Sequence, residues 1–212
     1  MNTDDLITGL GSELTPVRQG QLTNGVLLAL GGGCVAALAS FGLFWGIRSD
    51  PGVILQDVSL FAKSVLPLAL GLAALALTLA KARPAGRSRA GRAIWLVPAV
   101  LAIYMLATLI VTPSAGWQMA IMGKSITTCL LSIPLLSAPI LALILLALRR
   151  GAPEHPATCG AVGGLAAAGF ATTIYSLYCV ENSALFYGIW YSLAIIGVAV
   201  VGAVAGSILL RW

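Results

Sequence analysis

Two cysteines carry the most specific chemistry in this chain. Cys129 stands near the start of one apolar run, and Cys179 closes the next. Consecutive helices joined by a short connection run antiparallel, so the start of one and the end of the next share an end of the bundle. At 1.5 Å per residue, Cys129 sits only about 5 Å from its helix end. Thiolates at one shared end oxidise, or bind soft metal ions that hydroxyls do not hold. Lys124 nearby favours the thiolate, external solutes can reach both sulfurs, and Glu181 or backbone carbonyls offer further ligands. A thiol is also a small apolar side chain, and plain packing is the alternative for each cysteine.

The remaining reactive residues narrow the chemistry. Cys34 falls near the middle of an apolar run and Cys159 at the opposite end of its run, so neither meets the other two. No pair has the CxxC spacing of a redox motif. The lone His155 lies in a connector at the opposite end, which leaves a tetrahedral zinc site poorly supported. Gly31-Gly32-Gly33 lies inside an apolar run and does not open a helix after a strand, so it is no phosphate loop. No nucleophile–base pair, paired intramembrane carboxylates or haem-ligand histidines can be assembled, and the chain reads as no enzyme. No resident cofactor is expected, beyond transient binding of a heavy metal at the thiols.

The elements that must hold these thiols are six apolar stretches. Of the 212 residues, 59% are hydrophobic and only 9% charged, with a mean hydropathy of +0.98. A hydrocarbon core of roughly 30 Å needs about twenty helical residues to cross it. The expected fold is therefore an all-α, polytopic membrane protein with spans at about 26–46, 58–80, 93–112, 126–148, 158–179 and 188–210. The first is read as an uncleaved helix, since the segment before it carries Asp4, Asp5 and Glu13 against Arg18.

Charge orients the bundle. A net charge of +5 is compatible with nucleic-acid binding, but nine of twelve cations fall on alternate connectors: Arg18, Lys81, Arg83, Arg87, Arg89, Arg92, Arg149, Arg150 and Arg211. Only Arg48 and Lys124 fall on the others. The excess marks the cytoplasmic side, with both termini there and both thiols outside. That outside is oxidising in bacteria. The twelfth cation, Lys63, lies about five residues into the second span; snorkelling to the interface beside Asp57 is weighed against a functional role.

Inside the spans, Pro67, Pro98, Pro134 and Pro139 can kink helices. Gly42–Gly46, Gly160–Gly164 and Gly202–Gly206 have the spacing of close helix contacts. Trp45, Trp117, Trp190, Tyr191 and Trp212 are expected near the interfaces. No internal repeat is evident.

Residues 1–25 form the one sizeable aqueous segment, ahead of a transmembrane domain over 26–212. Leu6, Leu10, Leu14 and Val17 recur at helical spacing, with Asp4, Asp5, Glu13 and Arg18 on other faces. Thr3 can cap this short amphipathic helix, Asp4 and Asp5 suit its dipole, and Pro16 ends it. A net acidic helix is repelled by anionic lipid, which favours a protein partner with a basic surface, such as a nucleic-acid-binding protein.

Several stretches together resemble the NrsF-like, six-helix negative regulators of extracytoplasmic-function sigma factor F. They are Thr3-Asp4-Asp5-Leu6-Ile7, Leu14-Thr15-Pro16-Val17, Leu131 to Pro139, Leu148 to Pro153, and Gly163 to Ala168. Tyr178-Cys179, Leu185-Phe186, Trp190-Tyr191 and Leu209-Leu210-Arg211-Trp212 complete the likeness, in order and over nearly the whole chain. The resemblance implies an anti-sigma factor of the bacterial inner membrane that binds no nucleic acid directly. Its cytoplasmic tail would hold an extracytoplasmic-function sigma factor, here through Asp4, Asp5, Leu6, Leu10, Leu14, Pro16 and Val17. Cys129 and Cys179 match by position the two outer cysteines needed for the response to heavy-metal or oxidative stress. The rival readings are a small transporter or channel subunit, disfavoured by few intramembrane polar groups, and a membrane thiol oxidoreductase, disfavoured by the missing CxxC pair.

Overall fold

The computed structural model describes residues 3–12, 20–46, 58–84 and 90–211. Among these, the elements are helices only: α1 (Thr3–Ser12), α2 (Gln21–Phe44), α3 (Val58–Lys81), α4 (Ala90–Val111), α5 (Trp117–Met122), α6 (Ile126–Leu148), α7 (Pro156–Ser176) and α8 (Ala184–Leu209). Six of them, α2, α3, α4, α6, α7 and α8, are long and apolar enough to cross a membrane. Their bounds follow the expected spans with three shifts that matter. α2 begins at Gln21, ahead of the expected tail boundary at 25; α7 stops at Ser176, leaving Cys179 on a connector; and α8 begins at Ala184. α5, preceded by a 3-10 turn at Ser114–Gly116, has no counterpart among the expected elements, because a six-residue helix is too short to show a period.

α7 is the hub, packed against α2, α3, α6 and α8. Its sequence explains this, since small residues let neighbouring backbones approach. A Cβ on Gly164 would lie 2.8 Å from the Val198 carbonyl oxygen of α8, and one on Gly206 only 2.7 Å from Gly160 Cα. On the α3 side, a Cβ on Gly169 would come within 2.6 Å of Gly71 Cα. The expected close contacts through 160–164 and 202–206 thus form between α7 and α8. The Gly42–Gly46 spacing does not form one: no atom lies within 4 Å of a Cβ on either residue. Gly46 serves instead as a left-handed helix terminator (φ 74), its N–H donating to the Phe41 carbonyl at 3.0 Å.

α6 presents a stripe of helical period to the core, from Cys129 through Ile133, Leu136, Ile140 and Ile144 to Leu148. Gly33 lets α2 lie directly on it, since a Cβ on Gly33 would stand only 2.6 Å from Ile140 Cα. α4 is the outlier, with no residue of its apolar stretch buried and Trp95, Ile103 and Ile110 open to the surroundings. An open cavity of about 420 Å³ lies among α3, α4 and α8, walled by Lys63, Pro67, Trp95, Leu101, Tyr187 and Tyr191 among others.

Side chains tie the two ends of the bundle. At the end away from the thiols, Arg83 Nη2 donates to Thr23 Oγ1 at 2.6 Å, and Ala152 N–H donates to the Ala82 carbonyl at 3.1 Å. At the thiol end, Trp45 Nε1 donates to Ser132 Oγ and Trp190 Nε1 to the Ile121 carbonyl, each at 2.9 Å. The second bond anchors α5 to α8. Tyr191, expected at an interface, is instead buried in the core, and Trp212 lies outside the described residues.

α1 exists as expected, with Asp4 and Asp5 in its first turn. Thr3 is already helical, so it does not cap from outside the helix. Asp4, Asp5 and Ile7 are exposed. Leu14, Pro16 and Val17 lie outside the described residues, as does Asp57.

Candidate functional site

The antiparallel passage of α6 and α7 brings Cys129 and Cys179 together. Both thiols are free and face each other, and Cys129 Sγ lies 3.2 Å from the Tyr175 hydroxyl. Tyr191 of α8 faces Cys179, and its ring stacks edge-on to Tyr175 with centroids 6.0 Å apart. Three helices and one connector therefore converge on two sulfur atoms. Cys159, at the other end of α7, is about 25 Å away by helical rise, and Cys34 is half-buried on α2.

Two details depart from the sequence reading. Both thiols are buried, Cys129 at 0% and Cys179 at 2% exposure, so a hydrated solute has no direct approach to them. The reason is the tyrosine cluster and the 177–183 connector, which fold over the sulfur atoms. The nearby cation is also a different one. Lys124 is exposed and takes part through its backbone, whereas Lys63 of α3 is 1% exposed and donates from Nζ to the Cys179 carbonyl at 2.5 Å and to the Glu181 carbonyl at 3.2 Å. Lys63 thus does reach towards the bundle end, but its head group ends on protein carbonyls and not in water.

Glu181 is engaged as well. One carboxylate oxygen accepts from Lys124 N–H at 2.8 Å and from Ser125 Oγ at 3.2 Å, just ahead of α6. A carboxylate there complements the dipole of the helix start. Gly123 (φ 50) makes room: a Cβ on it would sit 2.6 Å from the Phe186 ring and 3.0 Å from Glu181 Cδ. Among the described residues, no group of three or more His, Cys, Asp and Glu could hold a metal ion. What the pair offers is two sulfur donors, fit for a linear soft ion or for a disulfide.

The electrostatics of the pair are uneven. A hydrogen bond from Cys129, with contributions from Tyr191 and Lys63, holds the Cys179 thiol below its ordinary range although burial opposes this. Sequence reasoning passed over Tyr175, Tyr191, Ser125 and Gly123 as partners of the thiols. A signal existed for the tyrosines, since Tyr175 precedes Cys179 by one helical turn.

The described residues form an all-helical bundle with six helices long and apolar enough to cross a membrane and a buried dithiol at one end. The family described as the negative regulators of sigma F matches residues 10–212, and this chain belongs to it. The anti-sigma-F factor of Caulobacter vibrioides is 33% identical over the whole of both chains, and the probable anti-sigma-F factor of Azospira oryzae is 30% identical, again over the whole of both. No solved structure matches the chain significantly. Membership makes it a regulator of a sigma factor, and not an enzyme.

Proposed function

We propose that this protein is an anti-sigma factor of the bacterial inner membrane, with both termini in the cytoplasm. Its tail, residues 1–25, holds an extracytoplasmic-function sigma factor, and chemistry at Cys129 and Cys179 on the outer side loosens that hold. The observation that carries the reading is the meeting of two cysteines, far apart in sequence, at one end of the bundle. A bridging soft ion or a disulfide replaces two thiol protons with one rigid link, which no single cysteine can provide.

The route to the tail runs through the 177–183 connector. That segment is tied to α3 by Lys63, to α6 by the Glu181 carboxylate, and it leads into α8. Redrawing the sulfur pair pulls on three helices whose other ends lie beside the arginine-rich loops and the start of α2. The nine-to-two division of cations supports the orientation. The acidic, amphipathic α1 supports a basic protein partner.

Capture from purified components tests this. Full-length protein in vesicles should retain its sigma factor, and a diazenedicarboxamide oxidant should release it as the Cys129–Cys179 disulfide forms. Undiminished retention with the pair fully oxidised contradicts the reading.

A further inference from the structure

We propose that Cys179 is the attacking thiol of the pair, that Cys129 resolves it, and that Lys63 is the residue that positions the attack. The inference rests on the sensor reading above and names the atom where its chemistry starts. Burying a lysine is costly unless its charge is met by partners. Lys63 nevertheless stands at 1% exposure, and its nitrogen donates to the carbonyls of Cys179 and Glu181. The charge is thereby fixed on the residue that bears one sulfur and not on the residue that bears the other.

Each element packed around Cys179 contributes a group: Lys63 from α3, Cys129 from α6, Tyr175 from α7, Tyr191 from α8, and the Glu181 backbone from the connector. Lys63 is the cation in that set. Cys129 faces Cys179, the Tyr175 hydroxyl and the Glu181 carboxylate, so the charge on its side is negative. A thiolate, not a thiol, is the nucleophile, and a neighbouring cation favours it. Cys179 lies beyond the end of α7, its N–H donating to the Tyr175 carbonyl at 3.2 Å and its carbonyl held by Lys63, while Cys129 lies within α6.

With a diazenedicarboxamide as oxidant, the Cys179 sulfur adds to one nitrogen and the other nitrogen takes a proton. The Cys129 sulfur then attacks the Cys179 sulfur, the S–N bond breaks, and the disulfide forms. The reagent leaves as the hydrazine, carrying the two electrons and two protons that the thiols have lost.

The full chain carrying Cys34→Ser and Cys159→Ser, in detergent micelles, is treated briefly with monobromobimane between pH 5 and 9, and the modified cysteine is identified by mass spectrometry. Cys179 should be labelled first, at least tenfold faster than Cys129 at pH 7, with the rate rising through an inflection below that of a free thiol near pH 8.5. The sign follows from thiolate stabilisation: loss of the cation moves the inflection to higher pH, so Lys63→Met should slow labelling at pH 7 about tenfold or more. Lys63→Arg, which keeps charge and donors, should restore most of the rate. First labelling at Cys129 in the protein with Lys63 intact overturns the proposal without need of any Lys63 variant. So does an unchanged inflection in a folded Lys63→Met protein. Either result leaves the sensor reading standing, because that reading is decided by sigma-factor release and not by which sulfur reacts first.

Discussion

Gly164 of α7 offers the sharpest test of the hub. In Gly164→Ala the new methyl would stand 2.8 Å from the Val198 carbonyl oxygen and 2.9 Å from Ala199 Cα, against ordinary contact from 3.4 Å. α8 would have to retreat by about 0.5 Å, and its contacts along Gly202 and Gly206 would loosen with it. Overpacking a tight interface costs about 1–3 kcal/mol, and backbone atoms cannot swing aside as a side-chain tip can. Gly197→Ala in α8 is the control: no atom lies within 4 Å of its Cβ, and alanine in a helix gains up to about 1 kcal/mol over glycine. Unfolding by sodium dodecyl sulfate in mixed micelles, followed by circular dichroism, should therefore shift to lower denaturant for Gly164→Ala. For Gly197→Ala it should stay put or rise. Equal midpoints for the two would refute the close α7–α8 packing on which the position of Cys179 depends.

Replacing Leu6, Leu10 and Leu14 with Asp should abolish sigma-factor capture while leaving insertion intact, at roughly 1.5–3 kcal/mol for each apolar side chain the partner buries; full capture by the triple variant would move the binding site to 81–92 or 149–157. Reporter fusions after residues 90 and 152 should behave as cytoplasmic and those near 50, 116 and 183 as external, and an odd number of spans would remove the shared outer face of the thiols. Glu181→Ala removes the two hydrogen bonds that tie the connector to the residues ahead of α6 and should cost about 1–2 kcal/mol in the same unfolding assay, given the usual worth of a hydrogen bond to a charged group; no change would show that this tie carries no stability.

Much of the architecture was legible in the sequence because it rests on local rules. Length and hydropathy located six long apolar helices, and antiparallel succession put Cys129 and Cys179 at one end. What escaped was set by contacts between elements distant in sequence. Lys63 drew attention as a lone cation in an apolar run, yet only the packing of α3 on α7 reveals that it meets carbonyls and not solvent. The burial of the thiols depends on Tyr175, Tyr191 and the connector closing together, which no single-segment pattern encodes. Gly42–Gly46 has the same spacing as Gly202–Gly206, but a spacing cannot say whether a partner helix lies opposite.

The central claim is that the Cys129–Cys179 pair converts thiol chemistry into release of the sigma factor. Its most direct test is transcription from a promoter dependent on that sigma factor, in cells expressing Cys129→Ser, Cys179→Ser and the double variant at normal levels, before and after a thiol-reactive metal. Each single change should abolish the induction as completely as the double change, since a bridged ion or disulfide needs both sulfurs, while Cys34→Ser and Cys159→Ser should respond fully. Full induction in the double variant would contradict the account and return both cysteines to a packing role.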